Sequence, residues 1–343
     1  MTKPKIGSLC SGMGAMDLAA ADLFPDTDLA WCSEIDPAAS RVLAARFPHV
    51  PNIGDLRAVT PEPVDILHAG FPCQPVSTAG RREGVNDERW LFDDIVAFIG
   101  RMDPPPRLLL FENVPGLLTA NGGAAMGRVV EGLAGAGYVG RYRVLAASDV
   151  GACHRRQRVF IAAAHTDSQR RRQDTGSAHG DESGNGRRAT VPDHEPLRAG
   201  PGRVPPTRTL IPTPRTADGM ANPLRDPSAI RTRRSGDPFG RLEDTVALLQ
   251  NWGEYAAAVA VHEQVVGRPA PEPAVGGRLN ARFVEWMMML PEGWVTDVGL
   301  SNRQTMRVLG NGVVPAQAVA AFRLLVEGKA KLGETMPPQP ARR

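Results

Sequence analysis

Short apolar runs alternate with amphipathic stretches from Lys5 to Ala164, and this alternation limits the fold more than any other feature. The apolar runs predict buried strands at Ile6 to Leu9, Leu29 to Cys32, Val64 to Ala69, Leu108 to Phe111, Tyr142 to Ala146 and Val159 to Ala163. The stretches between them predict helices near Ala15 to Ala21, Pro37 to Arg46, Leu91 to Arg101 and Ala125 to Ala136. This order predicts an α/β protein with a doubly wound, mostly parallel sheet and helices on both faces.

The composition changes after Ala164. No aromatic residue occurs between Ile161 and Pro238, and Arg, Gly, Pro, Asp and Thr dominate this segment. Such a segment buries too little apolar surface to order itself alone, so we expect residues 165–206 to be flexible. Thr207 to Pro214 is expected to be a short extended piece, because its prolines exclude it from a sheet interior.

Helical spacing of apolar residues returns at Leu242. We expect one or two helices as far as Val266, followed by a Pro/Gly linker from Pro269 to Gly277. Two more helices are expected, at Phe283 to Leu290 and at Pro315 to Val326, where a proline in the first turn is permitted. The tail, residues 333–343, is expected to be disordered.

The net charge of +3 does not indicate a binding partner, but the arginines are concentrated in a few short segments. They cluster at Arg155, Arg156 and Arg158, at 170–172, at 187–188, and at Arg231, Arg233 and Arg234. Solvated loop charge and a surface that binds a polyanion explain these clusters equally well.

Four cysteines, at positions 10, 32, 73 and 153, are too far apart for a CxxC-type metal signature and do not resemble a disulfide framework. The start, Met1 to Lys5, leads into a strand, so neither a signal peptide nor a membrane span is predicted. With 42% hydrophobic content in 343 residues, the chain can bury a full core and is expected to form two domains. We therefore expect a cytoplasmic protein without a bound metal.

Cys73 lies in the loop Gly-Phe-Pro-Cys-Gln-Pro-Val-Ser-Thr that follows the apolar run Val64 to Ala69, where an open sheet binds its ligands. A free Cys often packs as a small hydrophobe, which is the alternative interpretation. Prolines on both sides stiffen this loop, and Glu112 emerges from another buried run, where partial desolvation favours the protonated carboxyl. A positioned thiol with a carboxyl nearby predicts nucleophilic catalysis with acid assistance.

A glycine turn and two carboxylates predict a nucleoside pocket. The turn from Cys10 to Asp17 follows the first strand, and Glu34 ends the second, where it can accept both hydroxyls of a ribose. This pattern fits NAD and S-adenosylmethionine equally, but Asp17 replaces the third glycine of the dinucleotide fingerprint, so a pyrophosphate is not favoured. Asp55 ends a third segment and could take an adenine amino group. Solvated strand-end carboxylates are the alternative for each residue separately.

Four short motifs follow one another along the chain: Gly70 to Thr78, Glu112 to Val114, Gln157-Arg158-Val159 and Gly310-Asn311-Gly312-Val313. In this order and spacing they resemble the motifs of the cytosine-5 DNA methyltransferase family, in its bacterial and phage form. The resemblance implies a Rossmann-like methyltransferase domain and S-adenosylmethionine as methyl donor. Some residues differ from the family pattern: Cys10 replaces a common aromatic residue, Cys153 a proline, Gln157 a glutamate and Gly312 a serine, and the segment Arg89-Trp90-Leu91 is one residue short.

The resemblance also assigns roles to residues. It implies that Cys73 attacks carbon 6 of a flipped cytosine, that Glu112 acts at N3, and that Arg158 holds O2. The implied catalytic residues are Cys73, Glu112, Arg156 and Arg158. The implied donor-binding residues are Cys10, Gly12, Met13, Gly14, Glu34, Ile35, Asp55, Leu56, Pro72, Leu91, Asn311 and Val313. The implied substrate-binding residues are Gln74, Ser77, Asn113 and Val114.

We therefore predict a DNA (cytosine-5-)-methyltransferase whose catalytic domain comprises residues 1–164 and 303–332, with 165–302 as a smaller, loop-rich target-recognition domain. The expected partners are double-stranded DNA and a separately encoded restriction endonuclease, and we expect a nucleoid-associated monomer. Two alternatives stay open at this point. One is a tRNA cytosine-5 methyltransferase, although that branch usually has a proline where this chain has Phe71. The other is a catalytically inactive DNA-binding regulator.

Overall fold

The computed structural model describes residues 3–60, 62–72, 90–166 and 252–326. Cys73, Gln74 and Ser77 lie outside the described residues. Most of the expected flexible segment, the extended piece from Thr207 to Pro214 and the tail also lie outside them.

Among the described residues, six strands form one sheet in the spatial order β2-β1-β3-β4-β6-β5. They are β1 (Lys5–Leu9), β2 (Asp28–Ser33), β3 (Ile66–Gly70), β4 (Leu108–Asn113), β5 (Tyr138–Ala146) and β6 (Gln157–His165). The first four are parallel, which confirms a mostly parallel sheet, but β6 is antiparallel to both β4 and β5. The connection between β5 and β6, residues 147–156, is too short for the crossover that a parallel pair needs.

Helices lie between these strands, close to the predicted positions. They are α1 (Ala15–Leu23), α2 (Pro37–Arg46), α3 (Phe92–Gly100), the short α4 (Gly116–Thr119) and α5 (Ala124–Gly135). The bounds of α2 agree with the prediction because its start is well specified. Pro37 occupies the first turn, and the Asp36 carboxylate accepts hydrogen bonds from the amides of Ala38 and Ala39.

The sheet has an apolar core on each face. Along β4, Leu108 and Leu110 face a cluster that includes α1 and α2, whereas Leu109 and Phe111 face a cluster that includes α3 and α5. Successive side chains of a strand point to opposite faces, so a continuous apolar run serves both layers.

The C-terminal part differs from the sequence-based expectation in two places. It contains α6 (Ala256–Val266), β7 (Ala274–Val275), β8 (Arg278–Leu279), α7 (Ala281–Met287), α8 (Asn302–Asn311) and α9 (Pro315–Val326). The expected Pro/Gly linker includes a hairpin, which Gly276 and Gly277 turn with positive φ angles of 58° and 73°. Helix α8 was not predicted, and Ser301 and Gln304 begin it with a capping box.

Helix α9 packs on α1 and on the strands β5 and β6, with the rings of Phe160 and Phe322 5.4 Å apart. Val284 and Val295 belong to the same apolar cluster as α1, although the expected recognition domain extends to residue 302. The division into two domains stays a prediction, and this packing joins the segment around α7 to the catalytic side.

One stretch, Asn302–Val326, is long and apolar enough to cross a membrane by composition alone. In the structure, residues 312–314 interrupt it between α8 and α9, and 61% of its most apolar window is buried inside the protein.

Candidate active site

Three parallel strands end side by side at the carboxyl edge of the sheet. Leu9 of β1 pairs with Ala69 of β3, and Gly70 of β3 pairs with Glu112 of β4. Because β6 runs in the opposite direction, its first residue, Gln157, lies at this same edge. Open α/β sheets bind ligands in the crevice outside this edge.

Glu112 and Arg158 form an ion pair at this edge. The Nε atom of Arg158 lies 2.9 Å from Oε1 of Glu112, and the two side chains are only 15% and 11% exposed. Burial raises the pKa of Glu112 above its ordinary value, although the charges of Arg158 and Arg156 oppose the shift. A carboxyl with a raised pKa can donate a proton or a hydrogen bond to a ring nitrogen.

Arg156 lies beside this pair, but its guanidinium contacts another part of the chain. It donates hydrogen bonds to the carbonyl oxygens of Gly310, at 2.9 Å, and Gly312. The side-chain amide of Gln317 in turn donates to the carbonyl oxygen of Arg156, at 2.8 Å. The catalytic role expected for Arg156 stays a prediction, and these contacts connect it to the turn after α8.

Asn113 fixes the chain that leads toward the predicted nucleophile. Its Nδ2 donates to the carbonyl oxygen of Phe71 at 3.1 Å, and its Oδ1 accepts from the amide of Val114 at 2.8 Å. The ring of Phe71 packs in an aromatic cluster with Trp90, Phe92 and Phe111. The chain is thus held in place up to the exposed Pro72, the residue before Cys73.

The glycine turn after β1 is built around a carboxylate. Gly12 and Gly14 have φ angles of 57° and 79°, which favour glycine, and a Cβ added at Gly14 would lie 2.5 Å from the Phe47 ring. Glu34 accepts hydrogen bonds from the amide of Gly12, at 2.8 Å, and from that of Asp36, at 2.7 Å. Each carboxylate oxygen keeps a further lone pair, so Glu34 can still accept hydroxyl groups.

Asn52 holds the backbone of Glu34 in place, and no sequence pattern singles it out. Its Oδ1 accepts from the amides of Glu34, at 3.0 Å, and Gly54, at 3.1 Å. Its Nδ2 donates to the carbonyl oxygen of Glu34 at 3.0 Å. The side chain thus ties the strand end that bears Glu34 to the loop that bears Asp55.

Asp55 is already paired. An NH2 of Arg57 lies 2.8 Å from its Oδ2, and hydrogen bonds from Arg57 lower the pKa of Asp55. Both side chains are partly exposed, at 36% for Asp55 and 54% for Arg57, so the pair is accessible to a ligand. An ionised Asp55 can accept a hydrogen bond from an amino group.

Three apolar residues were predicted to bind the donor together with these carboxylates. Ile35 is 67% exposed beside Glu34, whereas Leu56 is 4% exposed and Leu91 is half-buried. Burial, with the charges of Glu34 and Asp55, raises the pKa of Cys10 to about 12, so this thiol is neutral. Among the residues that the structure describes, no group of three or more His, Cys, Asp or Glu side chains could hold a metal ion.

The far end of the chain returns to the glycine turn. Asn311 is the exposed last residue of α8, and Val313 is buried in the same cluster as Met13. A Cβ added at Gly312 would collide with the Met13 side chain, so only glycine fits here without a shift of Met13. The structure therefore brings the predicted donor-binding residues of both chain ends together.

A glycine turn after β1, a carboxylate after β2 and a buried Glu–Arg pair at one edge of a doubly wound sheet define a protein of the methyltransferase class. The sequence model of the C-5 cytosine-specific DNA methylase family matches residues 4–326. The chain belongs to this family.

Individual relatives match over shorter stretches. The Type II methyltransferase M2.BsuMI of Bacillus subtilis (strain 168) is 36% identical over 163 residues, which cover 46% of this chain and 41% of that protein. The Type II methyltransferase M.BsuFI of Bacillus subtilis is 32% identical over 163 residues, which cover 46% of this chain and 39% of that protein. The matches thus span less than half the length of these relatives.

The fold is similar to that of solved structures. The crystal structure of the S. pombe Dnmt2 methyltransferase superposes with a TM-score of 0.53 and 16% sequence identity, over 96% of this chain and 100% of that chain. At this identity the likeness shows the fold alone.

Proposed function

We propose that the protein transfers a methyl group from S-adenosylmethionine to carbon 5 of a flipped cytosine in duplex DNA, through a covalent bond to Cys73. The observation that carries this proposal is the buried ion pair of Glu112 and Arg158. Glu112 lies on β4, the neighbour of the strand β3 that continues through Pro72 to Cys73, and Arg158 lies on β6 at the other side of β4. Membership of the cytosine-specific DNA methylase family supports the choice of base and polymer.

The chemistry needs a nucleophile and an acid. Carbon 5 of cytosine is a weak nucleophile until the Cys73 thiolate forms a bond to carbon 6 and the ring electrons shift toward N3. Glu112 supplies a proton to N3, and Arg158 holds O2 of the ring. Carbon 5 takes the methyl group as its bond to the donor sulfur breaks, which leaves S-adenosylhomocysteine. Carbon 5 then loses its proton to a base. The C5–C6 double bond then re-forms, the Cys73 thiolate leaves, and Glu112 recovers its proton.

The residues present fit the methyl donor that the family implies. S-adenosylmethionine supplies an electrophilic methyl group when bound. The crevice has room near the turn, because a Cβ added at Gly12 would meet no atom closer than 4.0 Å and one at Gly54 none within 4 Å. We assign the ribose hydroxyls to Glu34, one face of the adenine to the exposed Ile35, and the adenine amino group to Asp55.

A base stacked in a duplex cannot reach this crevice, so the target cytosine must be extruded at a cost of roughly a few kcal/mol. The segment 165–302 is proposed to bind the DNA around it. Its arginine clusters would contact phosphates, which makes the affinity dependent on salt.

The first experiment identifies the polymer. Purified protein is incubated with S-adenosylmethionine carrying a tritiated methyl group, and with either unmethylated duplex DNA or unmodified tRNA. We expect label in DNA and not in tRNA. Label in tRNA alone would replace the proposed substrate with the alternative one. Bisulfite sequencing of DNA from an expressing host gives the methylated sequence.

The second experiment tests the covalent step. A duplex that carries 5-fluorocytosine at the identified target should form an adduct that survives denaturing electrophoresis. Cys73→Ala should abolish the adduct and the methyl transfer but keep donor binding. Cys153→Ala serves as the control, because that thiol is buried and its pKa is raised to about 12. DNA binding without an adduct from the wild type would favour the inactive regulator.

Three further expectations belong to the same proposal. A separately encoded restriction endonuclease would be the functional partner, in keeping with the Type II names of the relatives. A monomer and a cytoplasmic, nucleoid-associated location are proposed with it. Size-exclusion chromatography with light scattering tests the monomer, and imaging of a fluorescent fusion tests the location.

A further inference from the structure

We propose that Trp294 is a positioning residue of the donor site, which holds the glycine turn, residues 12–14, in its binding shape. The identity of the donor rests on the function proposed above. The contact itself does not depend on that function, so the two can be tested separately.

The contact joins residues at opposite ends of the chain. The indole Nε1 of Trp294 donates a hydrogen bond to the carbonyl oxygen of Met13 at 2.7 Å. Met13 lies between Gly12 and Gly14, whose φ angles are both positive. A hydrogen bond to the carbonyl oxygen of Met13 fixes the peptide plane between Met13 and Gly14, in the middle of the turn. The two glycines alone would leave the turn flexible, because glycine adopts many backbone conformations.

The turn and the ribose-binding carboxylate depend on each other. The amide of Gly12 donates to Glu34 at 2.8 Å, and the amide of Gly14 donates to the carbonyl oxygen of Ser11 at 2.9 Å. A shift of the Met13 peptide would therefore also move the amide of Gly12, whose hydrogen bond orients the Glu34 carboxylate. Ligand sites lose affinity when their supporting groups are not held in advance.

Trp294 is itself held from several directions. Its ring lies edge-on to that of Phe47, with centroids 5.8 Å apart, and the guanidinium carbon of Arg46 is 5.5 Å from the ring centroid. The Nε of Arg46 donates to the carbonyl oxygen of Trp294 at 2.8 Å. The indole is thus a rigid donor with its direction set by α2.

A buried carboxylate fixes the loop on both sides of Trp294. Glu285 is 1% exposed and accepts from the amides of Gly293, at 2.8 Å, Val295, at 2.5 Å, and Thr296, at 3.0 Å. The hydroxyl of Thr296 donates to the same carboxylate at 3.0 Å. These bonds close the loop without the indole, so the bond from Trp294 to Met13 is not needed to shape the loop itself.

The matched variants are Trp294→Phe and Trp286→Phe. The first keeps an aromatic ring against Phe47 and loses the N–H. The second also loses one indole hydrogen bond, from Nε1 to the carbonyl oxygen of Arg268 at 3.3 Å, away from the glycine turn. Both leave one carbonyl oxygen without its donor, and Trp286→Phe should lower the thermal midpoint more, because Trp286 is fully buried whereas Trp294 is half-buried.

Donor binding is measured by calorimetry on the full chain, with S-adenosylmethionine and with S-adenosylhomocysteine. Trp294→Phe should raise both dissociation constants about five-fold, whereas Trp286→Phe leaves them within about two-fold of wild type. The turnover number at saturating donor should change less than about two-fold. Glu285→Gln alone should weaken donor binding. In a protein that already carries Trp294→Phe, it should cause no further loss of donor affinity, since both changes remove the same support of the turn.

Hydrogen exchange of the donor-free protein gives an independent result. Amides of residues 11–14 should exchange faster in Trp294→Phe than in Trp286→Phe. Equal donor affinity and equal exchange at the turn in these two variants would overturn the proposal. If the wild type bound no S-adenosylmethionine, the proposed function would fail, and faster exchange in Trp294→Phe would still support the role of Trp294.

Discussion

The Nε atom of Arg158 lies 2.9 Å from Oε1 of Glu112, so the side chain proposed to hold the cytosine O2 also contacts the carboxyl proposed to protonate N3. One guanidinium therefore orients two groups. Losing either partner leaves the other buried without its counter-charge, so the effects of the two single substitutions should not add.

The rate of methyl transfer should report the raised pKa of Glu112. A raised pKa keeps the protonated form at higher pH than in a free carboxyl, so the single-turnover rate should fall as pH rises through that value. Glu112→Gln should remove this falling limb and lower the rate by about 10²- to 10⁴-fold. Glu62→Gln, at an exposed ion pair with Lys5, is the control and should keep the limb. A pH profile of Glu112→Gln that matches the wild type would exclude Glu112 as the acid.

Donor affinity should depend on the Glu34 carboxylate. Glu34→Gln replaces a group that accepts from the amides of Gly12 and Asp36 and is proposed to accept the ribose hydroxyls. Hydrogen bonds to charged groups contribute about 1.5–3 kcal/mol, so the dissociation constant should rise at least ten-fold by calorimetry. Asp28→Asn, at the exposed start of β2, the strand that Glu34 follows, should leave the dissociation constant unchanged. A constant unaffected by Glu34→Gln would contradict the ribose role.

Arg156→Lys should loosen the turn after α8. Both hydrogen bonds, to the carbonyl oxygens of Gly310 and Gly312, come from one terminal nitrogen of Arg156. The ammonium nitrogen of a lysine lies one bond closer to the backbone, so it cannot keep both hydrogen bonds without a shift of the chain. We expect a loss of about 1–3 kcal/mol in the free energy of unfolding, and weaker donor binding. The exposed Arg155, changed to Lys, is the neighbouring control. If urea unfolding gave equal stabilities for both variants, the contacts of Arg156 would not hold this turn.

His262 should make the fold sensitive to mild acid. Its Nδ1 accepts from the amide of Cys153 and its Nε2 contacts the carbonyl oxygen of Trp286, and burial lowers its pKa to about 4. The unfolded state then binds more protons between pH 6.5 and 4, so stability falls as pH falls through this window. From pH 7 to pH 5.5 the loss due to His262 should be about 1 kcal/mol, and the buried His154, whose pKa is also lowered, adds to it.

The measurement is urea unfolding at both pH values. His262→Asn can keep the hydrogen bond from Cys153 and should reduce the dependence on pH. His49→Asn, at an exposed site, should keep the same dependence of stability on pH as the wild type. An equal dependence in His262→Asn and the wild type would assign the acid sensitivity to other groups.

The sequence predicted those elements whose pattern is local. The run from Leu108 to Phe111 has to be a strand buried on both faces, and Pro37 with Asp36 specifies the start of α2. The capping box of Ser301 and Gln304 is equally local, so α8 could have been found with the same rule. The direction of β6 follows from the length of its connection, which the strand pattern alone does not show.

The site was predictable where a motif names the residue type, as for Glu112 and Glu34. Trp294 was not, because its bond to Met13 spans 281 positions and depends on how two distant segments pack. Asn52 was missed for a similar reason, since its amide acts on the backbone around Glu34 rather than on a ligand. Cys73 stays a prediction, because it lies outside the described residues.

The reversed direction of β6 has a practical consequence for shortened versions of this protein. The strand starts at the crevice and ends at the opposite edge with its ninth residue, His165, whose amide donates to the carbonyl oxygen of Arg107. Trp252 packs against the cluster that contains Cys153, on the crevice side. The residues that flank 167–251 therefore lie at opposite edges of the sheet, so a linker that replaces this segment has to span about 30 Å, the length of the nine-residue β6.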